Sequence, residues 1–95
     1  MSTVAVRVPT ILRTYTQGNA DVSVSVAADA TVADVVVALE SRYPGIGGRV
    51  LDESGQLRRF VNVYVDDDDV RFAYGLQTPT PDGSRVSVIP AVAGG

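Results

Sequence analysis

Side-chain chemistry usually begins with a nucleophile, a base or a metal ligand, and this chain of 95 residues contains no cysteine, histidine, lysine or tryptophan. That composition excludes a thiolate nucleophile, a histidine general base, a Schiff-base lysine, a Cys/His metal site and any disulfide framework. Carboxylates, hydroxyls and the chain termini remain. They offer no nucleophile and base pair, so a catalyst in its own right is the reading that the residues favour least. The four consecutive aspartates Asp66 to Asp69 invite a metal reading. Adjacent acids alternate direction in an extended segment, however, and these lack the glycine and the distant glutamate of a calcium loop. They read as a solvated turn, and no metal site is expected.

The remaining candidate is the end of the chain. Pro90 is expected to stop the last strand, after which Ala91-Val92-Ala93-Gly94-Gly95 continues without charge, turn or bulk. Five extended residues reach at most about 17 Å, long enough to leave a globular body and enter another protein's pocket. Two glycines without Cβ atoms let a narrow channel close around the backbone. A terminal Gly-Gly arises by chance in roughly one chain in two hundred, so the dipeptide alone is weak evidence, and its place directly after a closing strand is what strengthens it. The alternative is an ordinary frayed terminus.

The elements that must carry this tail can be read from periodicity. Val4, Val6 and Val8 alternate with Ala5 and Arg7 until Pro9 removes a ladder donor, which reads as a strand. A polar stretch with Thr14, Gln17, Gly18 and Asn19 turns the chain, and Val22, Val24 and Val26 resume the alternation, giving a hairpin with a long loop. The period then changes. Val32, Val36, Leu39 and Tyr43 stand at helical spacing with Val35 and Ala38 beside them, Thr31 can cap the helix, and Asp34 sits where an acid suits both a capping box and the helix dipole. Pro44-Gly45 and Gly47-Gly48 end the helix near Tyr43, and an irregular stretch follows. Leu57 to Val65 reads as a third strand, with Val61, Val63 and Val65 on one face and Phe60, Asn62 and Tyr64 on the other. The segment Arg71 to Thr80 has room for at most one short helical turn. Asp82-Gly83 is a turn signal, and Arg85 to Ile89 closes the sheet with Val86 and Val88 on the core side. The expectation is an α+β β-grasp in which a mixed sheet carries one main helix across one face, with a domain over residues 1–90 and an extended tail over 91–95.

Composition supports a soluble domain and excludes other classes. Hydrophobic residues make up 45% and charged residues 20%, with a net charge of -3, which gives no footprint for nucleic acid. The N-terminal residues lack a basic segment followed by an apolar stretch, and the longest apolar run is Val35 to Leu39. Neither secretion nor membrane insertion is expected, and the expected location is the cytoplasm. Eight arginines and no lysine, among many Ala, Val, Asp and Gly residues, hint at a GC-rich bacterial coding sequence.

Taken together, these segments resemble the ThiS/MoaD-like sulfur carriers, and within them the CysO type. The resemblance runs through Val8-Pro9-Thr10-Ile11-Leu12-Arg13 with Gly18, Leu39-Glu40 with Tyr43-Pro44-Gly45, and Arg59-Phe60-Val61-Asn62-Val63-Tyr64-Val65. It continues through Asp69-Val70-Arg71-Phe72 and Asp82-Gly83-Ser84 to Pro90-Ala91-Val92-Ala93-Gly94-Gly95. The uniform run Asp66 to Asp69 departs from the family's more mixed turn. The resemblance implies that an E1-like adenylating and sulfurating enzyme of the MoeB/ThiF type uses ATP to activate the Gly95 carboxylate, which becomes a thiocarboxylate. In the family's CysO-type systems a PLP-dependent cysteine synthase acting on O-phosphoserine uses the sulfur, and a metallopeptidase then frees cysteine. Related carriers serve thiamin, molybdopterin or sulfur-containing secondary metabolites. The carrier itself binds no cofactor. An α-carboxyl with a pKa of about 3.3–3.7 is ionised at neutral pH and a poor electrophile until activated, which agrees with that scheme.

On this reading Ala91, Val92, Ala93 and Gly94 thread into the partner and Gly95 carries the sulfur. The sheet face opposite the helix, with Phe60, Tyr64 and Ile89 among Arg7, Asn62 and Arg85, is the expected docking surface. Alternatively, Phe60 fills a secondary core under the long loop. Tyr15 and Tyr74 are expected to pack within loops and Tyr43 at the helix end. Arg58 and Arg59 either steer an acidic partner or keep a strand edge soluble. Two further functions remain open: a ubiquitin-like modifier joined through Gly95 to lysines of other proteins, and an adaptor using the sheet face alone.

Overall fold

Valine at alternate positions dictates the sheet. In the computed structural model, which describes residues 1–90, strands β1 (Ser2–Arg7) and β2 (Asp21–Val26) pair antiparallel, with Val4 opposite Val24 and Val6 opposite Val22. Strand β5 (Arg85–Pro90) lies parallel to β1, with Val6 beside Val86, and antiparallel to β3 (Val61–Val65), with Val63 opposite Val88 and Val65 opposite Val86. A two-residue β4 (Asp68–Asp69) completes the five-stranded order β2-β1-β5-β3-β4. Because each register keeps valine opposite valine, one face of the sheet becomes a continuous β-branched surface, and these valines are buried.

Helix α1 (Val32–Arg42) covers that face with Val32, Val35, Val36 and Leu39. The Asp34 carboxylate accepts the Thr31 N–H at 2.9 Å, satisfying a donor at the helix start. At the other end Tyr43 N–H still reaches the Leu39 carbonyl, and Gly45 then takes a positive φ of 101°. The arrangement is the mixed-sheet β-grasp expected from the sequence.

Several local expectations need correction. The irregular stretch contains a short helix, α2 (Gly47–Val50), which follows because both Gly45 N–H and Gly47 N–H donate to the Glu40 carboxylate at 2.8 Å. The third strand starts at Val61, because Leu57 bridges back to Leu51 and a turn from Arg58 to Val61 interrupts the alternation and takes up Phe60. Two of the four aspartates form β4 after a turn in which Asp66 has a positive φ of 54°. Two 3-10 turns, Val70–Phe72 and Gly75–Gln77, occupy the segment expected to hold at most one. Tyr74 is 75% exposed and does not pack into its loop. Pro90 belongs to β5, opposite Val61, since an extended proline still presents its carbonyl at the end of a ladder. The tail 91–95 lies outside the described residues.

Candidate functional site

The geometry around the root of the tail follows from the strand order. Strand β5 sits third of five, held by β1 on one side and β3 on the other. The last described residue, Pro90, therefore ends the central strand, paired with Val61 of β3, while the pairing with β1 stops at Ser87.

The long loop between β1 and β2 is ordered beside Pro90. A 3-10 turn over Thr10–Leu12 buries Leu12 and leaves Ile11 68% exposed. The loop is closed by Val8 N–H to the Ala20 carbonyl, by Arg13 Nε to the Val8 carbonyl, and by the buried Thr16 hydroxyl donating to the Asn19 carbonyl at 2.7 Å. Tyr15, packed against the core, lies under Gly45, and its hydroxyl accepts from Arg49 Nε at 2.9 Å.

From the other side comes the turn before β3. Arg71 holds it: the guanidinium donates to Asn62 Oδ1 and the Val61 carbonyl, both at 2.7 Å, and to the Arg58 carbonyl at 3.1 Å. Arg58 Nε in turn donates to the Gly48 carbonyl at 2.7 Å. This turn displays Phe60, which is 51% exposed. Sequence reasoning gave Arg71 no structural part. Its role depends on convergence of the Arg58, Arg59 and Val61 carbonyls and the Asn62 side-chain amide, which no local pattern signals.

Two grooves flank Pro90. One, of about 580 Å³, lies on the side of Phe60, Ile11, Tyr15, Arg49 and Arg58. The other, of about 520 Å³, lies on the side of Ile89, Arg7, Arg13 and Arg85. The three residues expected to share a docking face are thus distributed differently. Tyr64 and Ile89 project from the open sheet face, Tyr64 half-buried between Ser87 and Asp69 and Ile89 opposite Asn62. Phe60 lies before the strand and lines the first groove, beside the long loop and still accessible. Gly95, Gly94, Ala93, Val92 and Ala91 lie outside the described residues.

Charge favours anions near Arg49. The Arg49 guanidinium is held above its ordinary pKa, first by the hydrogen bond to Tyr15. Asp52, beside Arg58, has its pKa lowered, first by the Ser54 hydroxyl and then by the Gln56 N–H. Among the described residues no cluster of three or more acids is arranged to hold a metal ion, and no helix is long and apolar enough to cross a membrane.

Apolar and cationic side chains thus surround Pro90 at the end of the central strand. Comparisons with known proteins identify the family. The ThiS family profile matches residues 6–95. The sulfur carrier protein CysO of Mycobacterium tuberculosis is 50% identical over 94 residues, covering 97% of this chain and 98% of the relative. Small archaeal modifier protein 3 of Haloferax volcanii is 45% identical over 67 residues, covering 70% and 72%. Among solved structures, the Amycolatopsis orientalis BexX/CysO complex contains a chain that superposes with a TM-score of 0.87 at 47% identity, covering 97% of this chain and 99% of that one. By its profile, its near full-length identity and its fold, the chain belongs to the ThiS family of small β-grasp proteins.

Proposed function

We propose that this protein is a sulfur carrier whose Gly95 carboxylate is activated and sulfurated by an E1-like enzyme of the MoeB/ThiF type. A carboxylate oxygen attacks the α-phosphorus of ATP and pyrophosphate leaves. A sulfide sulfur then attacks the acyl carbon and AMP leaves, so that one oxygen is exchanged for sulfur; a persulfide of the partner gives an acyl disulfide instead, which a second thiol of the partner cleaves, forming a disulfide and releasing the thiocarboxylate. The carrier contributes the acyl group, its position and the docking surface, while ATP belongs to the activating partner. The observation that carries this reading is the 50% identity with a sulfur carrier along nearly the whole chain.

Chemistry of the chain is compatible. With no Cys, His or Lys in the sequence, neither the acyl-adenylate nor the thiocarboxylate faces a reactive side chain of its own molecule. The sulfur is proposed to serve cysteine biosynthesis, through a PLP-dependent synthase and a metallopeptidase, or a sulfur-containing secondary metabolite. Both would act in the cytoplasm, where such carriers meet ATP.

Intact and top-down mass spectrometry tests the proposal after incubation with ATP, sulfide and the adenylating enzyme from the same organism. The expected result is an oxygen-to-sulfur exchange located at Gly95. A carboxylate unchanged where a control carrier is thiolated retires the reading. The similarity to a small archaeal modifier protein supports a second reading as a protein modifier, for which the product is a branched peptide linking Gly95 to a foreign lysine.

A further inference from the structure

We propose that the groove between Ile11 and Phe60, beside Pro90, receives an acidic segment of the enzyme that activates the tail. One apolar side chain of that segment seats between Ile11 and Phe60, and its carboxylates pair with Arg49 and Arg58. The inference rests on the carrier reading above and adds to it the chemistry of the partner's surface.

Position is the first argument. Pro90 is a wall of the groove and only five residues follow it, with a reach of at most about 17 Å. An enzyme that brings Gly95 to its nucleotide must close around Pro90 and so cover the groove.

The groove's chemistry is the second. Its apolar side chains are held ready by the fold: Ile11 by the 3-10 turn of the long loop, Phe60 by the turn that Arg71 ties down. Its two guanidinium groups are anchored through Nε, Arg49 to the Tyr15 hydroxyl and Arg58 to the Gly48 carbonyl. Their Nη atoms make no hydrogen bond or ion pair among the described residues. An anchored guanidinium has lost little freedom still to lose when a carboxylate arrives, which suits bidentate pairing. The acids on this end are partly engaged elsewhere. Glu40 accepts from two backbone N–H groups, Asp21 lies 4.0 Å from Arg7, and Asp52 accepts from Ser54 and Gln56. Asp52 also stands beside Arg58, which leaves Arg49 as the stronger of the two anion contacts.

The charge distribution of the molecule is the third. Registers and loop contacts place Arg7, Arg13, Arg49, Arg58 and Arg59 at the end from which the tail departs, and Asp29, Asp66, Asp67, Asp68 and Asp82 at the opposite end. A chain of net charge -3 therefore turns its more basic end toward the side on which Pro90 lies. An acidic partner attracts that end and repels the other, so docking is oriented before contact.

Calorimetry of the full-length carrier against the adenylating enzyme of the same organism, without nucleotide, tests the proposal. The affinity of the unaltered chain should fall about tenfold between low and high salt. Arg49→Glu with Arg58→Glu should weaken binding at least about tenfold and remove most of the salt dependence, and Ile11→Ala with Phe60→Ala should weaken it to a similar degree. Asp67→Arg, at the far end, should change the affinity far less than either pair of groove substitutions. In thiolation assays the groove variants should raise KM and leave kcat unchanged. Salt-independent binding of the unaltered chain, equal affinity of the charge-reversed variant, or no binding at all overturns the groove. The salt titration needs no substitution, so it decides the matter even if a variant fails to fold. Salt-dependent binding that the groove variants abolish, with no sulfur ever placed on Gly95, supports the groove and retires the carrier reading instead.

Discussion

Gly45 and Asp52 show how single residues hold the loops on the side of Pro90. Gly45 adopts φ +101°, and a Cβ there would approach Tyr15 Cε1 to 2.9 Å, so both backbone and space demand glycine. Gly45→Ala should destabilise the fold by roughly 1–2 kcal/mol, read from urea unfolding, and should disturb the Tyr15–Arg49 contact that it overlies. Asp52 offers a pH test. Its Oδ1 accepts from the Ser54 hydroxyl, the Ser54 N–H and the Gln56 N–H, and these bonds, the hydroxyl first, lower its pKa. A carboxyl with a depressed folded-state pKa stabilises the fold above its unfolded pKa of about 3.9, and that contribution is lost as pH falls through the lower folded value. Amide exchange in residues 52–56 should therefore accelerate only below the ordinary carboxyl range. Asp52→Asn should flatten that dependence; an unchanged acid profile in the variant would contradict this account.

At the scale of elements, the helix start and the central strand matter most. Asp34 accepts from Thr31 N–H, while Val32 N–H and Thr80 N–H bind the chain on either side of the helix entrance to the Thr78 and Ala30 carbonyls. Losing the acid should cost about 0.5–2 kcal/mol, so Asp34→Ala should lower the unfolding midpoint without altering the slope of the denaturant transition. The central place of β5 depends on parallel pairing with β1, two segments separated by most of the chain. The alternation of Val86 and Val88 tells which face is buried. It does not tell which neighbours the strand chooses, because any valine-rich strand of the same parity could pair there.

For the whole molecule, the body and the tail should separate in function. Among the described residues 1–90 the buried valines and the five-stranded sheet form one core. Deleting 91–95 should leave the thermal midpoint within about 2 °C of the intact chain and abolish sulfur incorporation entirely, measured by melting and by mass spectrometry. A large loss of stability on deletion would mean that the tail belongs to the core. The division of charge between the two ends belongs to this scale too, since in the proposed docking it orients the whole carrier toward its partner.

Much of this protein was legible in its residues. Periodicity located four of the five strands and the main helix, because alternation at two and at 3.6 residues is imposed by the backbone of each element separately. The absence of Cys, His and Lys excluded most side-chain chemistry without reference to any neighbour, and the tail left as the candidate lies outside the described residues. Tertiary structure alone decided what surrounds Pro90. The turn that removes Phe60 from its strand depends on the Leu51–Leu57 bridge. The anchoring of that turn by Arg71, the seat of Arg49 on Tyr15 and the meeting of Ile11 with Phe60 join segments distant in sequence. Such contacts are chosen by packing and by the satisfaction of buried polar groups across the whole fold, and no local pattern encodes them.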